Sequence, residues 1–200
     1  MKRPATALLA ACCLLLASCS DSTVKEPAKT PEKPEPITGR HAFQQMYPMV
    51  RSWAVDAMPV VLQSINLPQV KGTAGKAGAW EVIFYSPTTG KTKMYTWSAV
   101  EAEGNLHQGV FAGQEESLGS RKPFPVVAIQ QDSDQAYKAA VEKSADYVKK
   151  NPGKPVTYVL EMTNRFPQLV WRVVWGESLG TSEYSAFVDA ATGQFLGTVH

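Results

Sequence analysis

The sequence predicts an α+β fold built from two repeated units, each an antiparallel sheet packed by one helix. Three observations carry this. Apolar residues recur at helical spacing in two separate stretches, one early and one late in the chain. Runs rich in β-branched and aromatic residues follow each stretch, bounded by Gly, Pro, Asn and Thr turns. In each half one of these runs is led by Trp, as Trp80-Glu-Val-Ile-Phe84 in the first and Trp171-Arg-Val-Val-Trp175 in the second. Such internal similarity marks a supersecondary unit used twice.

The chain has 200 residues, 44% of them hydrophobic, with five Trp, seven Tyr and seven Phe, which is ample for a packed core. It opens on an export signal. Lys2 and Arg3 are a short positive segment, and "ALLAACCLLLA" is apolar but too short to span a bilayer. Removing Lys2 and Arg3 leaves 18 of the 20 basic residues against 18 acidic ones. This neutral balance, without basic runs, gives no electrostatic footprint for nucleic acid.

The signal ends in Leu16-Ala17-Ser18-Cys19. This run resembles the lipobox of bacterial lipoproteins, in which the cysteine takes a diacylglyceryl group and becomes the mature N-terminus. An ordinary signal peptide or an uncleaved anchor is the alternative. The resemblance implies sorting to the outer membrane, because Ser20 rather than Asp follows the cysteine. Anchoring would be firm, since each buried methylene contributes roughly 0.8 kcal/mol. Cys12 and Cys13 fall inside the signal, so the folded part is expected to have no thiol, hence no disulfide, thiol catalysis or Cys-ligated metal.

The segment "SDSTVKEPAKTPEKPEP" has four prolines, mixed charge and almost nothing apolar, and reads as a disordered tether. About 17 residues at roughly 3.1 Å each would reach up to about 50 Å. The expected organisation is residues 1–18 as signal, 19–37 as lipidated cysteine and tether, 38–113 as the first unit and 123–200 as the second.

In the first unit, Ala42, Phe43, Met46, Tyr47, Val50, Trp53, Ala54 and Ala57 predict an amphipathic helix from about Arg40 to Ala57, with Pro48 marking a kink or restart. "VVLQSINL", "AWEVIFYS" and "KTKMYTWSAVE" predict three strands, the first two separated by the Gly-rich loop "KGTAGKAG". In the second unit, "FPVVAIQ" reads as a strand and "DSDQ" as helix caps. Tyr137, Ala140, Val141, Ser144, Ala145 and Val148 give a helical stripe ending near "KKNPGKP". "VTYVLEMT", "LVWRVVWGES" and "EYSAFVDA" predict three strands, with "ATGQFLGTV" as a hairpin return. Two small separate sheets are expected.

The helix, the "WRVVW" strand and "AFVDAATGQFLG" resemble PepSY-like domains, whose closing hairpin reads Val-Asp-Ala-x-Thr-Gly followed by an apolar strand. Phe187 to Gly193 match this pattern well, whereas the first half matches only in its Trp strand and Thr-Gly turn. Members of that family occur in peptidase propeptides and in envelope proteins, and are thought to bind or restrain peptidases. The resemblance therefore implies a noncatalytic interaction module whose partner is an envelope peptidase or another envelope protein.

Candidate sites read as follows. Gly176-Glu-Ser178-Leu-Gly180 fits GxSxG, and Ser178, Asp189 and His200 follow in the chain order of α/β-hydrolases. That nucleophile elbow needs a helix after the serine, and strands flank the motif here. A hairpin loop is predicted instead, with no catalytic residue. His41 and His107 have no second imidazole at ligand spacing, so no metal and no cofactor are expected. Asp189 suits a turn in which its carboxylate accepts backbone N–H groups. Trp80, Trp171 and Trp175 are expected to face their helices as core; the alternative is a platform for a small apolar ligand or a partner, as in a periplasmic sensor or carrier. The opposite face would carry Glu81, Arg172, Ile83 and Val174.

Overall fold

The computed structural model describes residues 33–199. Leu16, Ala17, Ser18 and Cys19, with most of the tether, lie outside the described residues. The elements run β1 (Ile37–Thr38), α1 (Gly39–Trp53), β2 (Met58–Ile65), β3 (Lys76–Ala77), β4 (Ala79–Ser86), β5 (Lys91–Ser98), β6 (Gly109–Ser117), α2 (Ser133–Lys143), α3 (Ala145–Lys150), β7 (Val156–Met162), β8 (Leu169–Trp175), β9 (Tyr184–Asp189) and β10 (Phe195–Val199).

Eight strands form one antiparallel sheet in the order β10-β9-β8-β7-β2-β4-β5-β6, and β1 pairs with β3 beside it. The expectation of two small sheets is corrected at the centre. There β2 and β7, the first long strand of each half, pair through Val61↔Glu161, Leu62↔Leu160 and Gln63↔Val159. Left apart, each would expose a row of unpaired backbone groups, and joining them satisfies both. The Tyr158 amide donates to Ser64 Oγ at 2.9 Å and extends the seam by one bond.

Two further elements differ from expectation. β6 was not legible, because "GVFAGQEES" lacks apolar alternation; it is an edge strand whose residues are exposed or half-buried. It also carries the first unit beyond residue 113, to Ser117. "FPVVAIQ" forms no strand, only a 3-10 turn at Val126–Ala128. Phe124 fills the core and its amide bonds Pro59 O, while Val126 and Ile129 pack as a strap on the helical side. Phe124 is buried and Val126, Ala128 and Ile129 are partly buried by strap packing rather than by a ladder, while Val127 points to solvent.

α1 ends at Trp53 because Ala54 is extended, with φ −150° and ψ 122°. Pro48 does not restart the helix, which runs through it. Proline removes the bond to the Gln44 carbonyl, and Gln44 and Pro48 both lie on the exposed side, where water can satisfy that group. The second helical stripe breaks at Ser144, whose buried Oγ accepts from Tyr184 Oη at 2.9 Å.

Both helical segments contribute to the core on one sheet face. Ala42, Phe43, Met46 and Val50 from α1 and Ala136 and Ala140 from α2 join Leu62, Trp80, Phe84, Leu160, Trp171 and Val173 in one cluster. Each fully buried Trp removes about 200 Å² from water, an upper figure of about 5 kcal/mol.

Candidate functional site

The N-termini of α1 and α2 meet over the sheet. Asp132 caps α2, accepting from Ser133 N at 2.6 Å and closing a capping box with Gln135. The same Oδ1 accepts from Arg40 N, in the first turn of α1, at 2.9 Å. Gly39 N donates to Ser133 Oγ at 2.8 Å, and Ser133 Oγ donates onward to Gly75 O at 2.5 Å. One carboxylate thus faces the positive ends of two helices and satisfies orphan donors of both. Gly75 N in turn donates to Tyr158 Oη at 2.9 Å. Burial pushes the Tyr158 phenol up, with the Gly75 amide pulling the other way. The "DSDQ" caps were legible for α2, but their reach to α1 was not, because it is a contact between distant parts of the chain.

Beneath this junction lie the tryptophans. Trp80 Nε1 donates to Ile37 O at 3.0 Å and Trp171 Nε1 to Gln131 O at 2.9 Å, so each indole holds the carbonyl two residues before a helix start. Both side chains are 0% exposed, so neither presents a surface to a ligand or partner. They pack into core because the helix starts lie directly on them. Trp175 differs: it is also buried, but it borders a cleft.

That cleft, of about 570 Å³, lies among the Gly-rich loop, the end of α3 and the start of β7. Tyr137, Val148, Val156, Tyr158 and Trp175 give it an apolar wall, and Asn66, Lys71, Asn151 and Lys154 give it polar groups. Lys154 Nζ is 2.7 Å from Glu183 and 3.2 Å from Tyr147 Oη. The sequence signal for the cleft was "KGTAGKAG", which reads only as a loop. Its left-handed Ala74 (φ 48°) and Gly75 (φ 86°) turn the chain there, and a Cβ on Gly75 would come within 2.2 Å of Asp134 Cα.

Among the described residues, the other sheet face carries no helix. Glu81, Glu161 and Arg172 are half-buried on it beside Val61 and Ile83, with Met94 and Phe111 more exposed. Burial raises both carboxyls; Arg121 opposes this at Glu81, and Arg172 and Arg121 do so at Glu161. Arg172 Nε donates to Ser185 Oγ at 3.1 Å, and its guanidinium lies 5.6 Å from the Phe187 ring centre. Val174, expected to be exposed on this face, is fully buried.

Ser178 lies in the loop after β8, with its Oγ 3.1 Å from Thr181 Oγ1. Asp189 Oδ1 accepts from Ala191 N and Thr192 N, both at 2.8 Å, and Gly193 takes φ 76°. Burial pushes the Asp189 carboxyl up, but the Thr192 and Ala191 amides outweigh it and leave the group lowered. These two residues therefore serve separate turns, and His200 lies outside the described residues. His107 Nδ1 is 2.6 Å from Glu101 Oε1 on the surface. The Gln108 amide and then His107 lower the Glu101 carboxyl. Among the described residues no three His, Cys, Asp or Glu side chains gather as a metal site, and no helix is long and apolar enough to cross a membrane.

No family model and no curated protein matches the chain. Among solved structures it is similar to a "putative lipoprotein" from Clostridium difficile 630, at 13% identity and TM-score 0.53. The match covers 79% of this chain and 91% of that one, more than either half could supply, so the likeness spans both halves. At this identity it shows the fold.

Proposed function

We propose that the chain is a lipid-anchored envelope protein, attached through Cys19 at the outer membrane with its folded part in the periplasm, and that it binds another envelope protein rather than catalysing a reaction. Leu16-Ala17-Ser18-Cys19 and the proline-rich stalk support the anchor. The topology supports a duplicated PepSY-like unit: each half is a helical segment followed by a four-strand meander, and each places a Trp indole under its helix start.

The observation that carries the binding reading is the helix-free sheet face. Half-buried carboxylates and Arg172 stand there among aliphatic side chains, with Met94 and Phe111 exposed beside them. A protein partner would complete the burial of those aliphatics and pair the charges. An envelope peptidase fits the resemblance best. The test is crosslinking of the lipidated protein in its native envelope, followed by peptidase assays with the purified protein. Capture of a partner that Phe111→Glu releases is expected; unchanged capture by that variant would sink the reading.

A second reading, a periplasmic sensor or carrier of a small ligand, is favoured by the cleft beside Trp175.

A further inference from the structure

The cleft beside Trp175 has two chemically distinct sides. Its wall of Tyr137, Val148, Val156, Tyr158 and Trp175 suits a flat apolar body, and its volume of about 570 Å³ falls within the range of small-molecule sites. Two lysines, Lys71 and Lys154, line it. Glu177 is the acidic residue among the lining side chains, and it is exposed. Lys154 is already neutralised by Glu183, whereas Lys71 enters no ion pair among the described residues.

We propose that this cleft binds an anionic group, phosphate or carboxylate, carried on an apolar body. The apolar part lies against the half-buried Tyr137, Val148 and Val156, beside the buried edge of Trp175, and the anion meets Lys71. A desolvated aromatic wall strengthens the attraction between the lysine and the anion, because the local dielectric is lower than that of water. An uncharged ligand would leave Lys71 unused, and a bare anion would leave the wall wet. The same chemistry could come from a soluble metabolite or from a lipid headgroup. The proposal rests on the second reading above and is independent of docking at the helix-free face.

The experiment uses the unit Lys33–His200, which contains both hydrophobic clusters. Binding of 1-naphthyl phosphate is followed by the indole NMR signal of Trp175, assigned with Trp175→Phe. Saturable shifts are expected, weakened at least fivefold by Lys71→Gln and unchanged by Lys91→Gln on the distant β4–β5 turn. Equal affinity for 1-naphthol or for inorganic phosphate would overturn the proposal, as would full binding by Lys71→Gln. A parallel arm uses phosphatidylglycerol vesicles. Vesicle binding displaced by naphthyl phosphate assigns a lipid headgroup, and naphthyl phosphate binding without vesicle binding assigns a soluble anion; either outcome supports the site. Loss of partner capture by Phe111→Glu with this binding retained would separate the two functions.

Discussion

Trp80 and Trp171, from opposite halves of the chain, meet edge to face with ring centres 6.5 Å apart and planes at 77°. Their strands are separated by β2 and β7, so the rings reach each other across the central seam. Ser64, opposite Trp80 on β2, is small enough to leave them room. An edge-to-face pair of this kind contributes about 0.5–1.5 kcal/mol beyond its buried area. A double-mutant cycle with Trp80→Leu and Trp171→Leu is expected to show coupling of that size in chemical denaturation. Strict additivity would mean that the two halves pack independently.

Gly39 is the point where α1 presses on this pair. A Cβ there would lie 2.8 Å from Trp171 and 3.1 Å from Trp80. Alanine normally favours a helix over glycine by about 1 kcal/mol. Here the buried rings have nowhere to retreat, and overpacking costs about 1–3 kcal/mol. Gly39→Ala is therefore expected to lower the midpoint of thermal unfolding, whereas Gly180→Ala, with open space around it, is not.

Asp132 serves two helices, so its removal should cost more than loss of an ordinary cap. A single N-cap replaced by alanine costs about 0.5–2 kcal/mol. Asp132→Ala exposes orphan donors in α1 as well as α2, and a loss toward or above the top of that range is expected. Hydrogen exchange distinguishes the cause: protection should fall in the first turns of both helices. A change confined to α2 would show that the Arg40 amide does not depend on this carboxylate.

The contacts that join the halves were the part least visible in the sequence. Helical spacing in Ala42, Phe43, Met46 and Val50 marked α1, and β-branched runs marked β2, β4, β5 and β7 to β9, because those signals are local. The turn at Asp189 was legible for the same reason. The β2–β7 pairing, the shared cap at Asp132 and the cleft depend on residues about ninety positions apart, and no periodicity records them. β6 was missed because an exposed edge strand has no buried face to impose alternation. The Trp strip was legible as core, but Trp175 borders a cleft only because the Gly-rich loop folds toward it.

Glu161 gives a pH prediction whose sign is fixed. Burial raises its folded-state pKa, so its ionised form is disfavoured in the fold. Its contribution is fully present below the unfolded value, near 4.5, and is lost as pH rises through the folded value. Glu161→Gln should therefore be more stable than the parent at pH 7, with the difference shrinking as pH falls toward 4. Asp189 and Asp56 act in the opposite sense: their lowered carboxyls stabilise the fold above the unfolded value and lose that effect in acid. A gain for Glu161→Gln that grows on acidification would contradict the assignment.

Ser64 tests whether the two halves fold as one. Its Oγ accepts the Tyr158 amide at the end of a seam of only three registered pairs. Both groups are buried, so Ser64→Ala leaves that N–H without its partner and should cost about 1–3 kcal/mol. Because the Trp80–Trp171 contact and the shared Asp132 cap also cross the seam, unfolding should stay a single transition, shifted as a whole. Faster exchange at Tyr158 together with unchanged cooperativity is the expected result. Two separate transitions in this variant would show that the seam, rather than the helix junction, joins the halves.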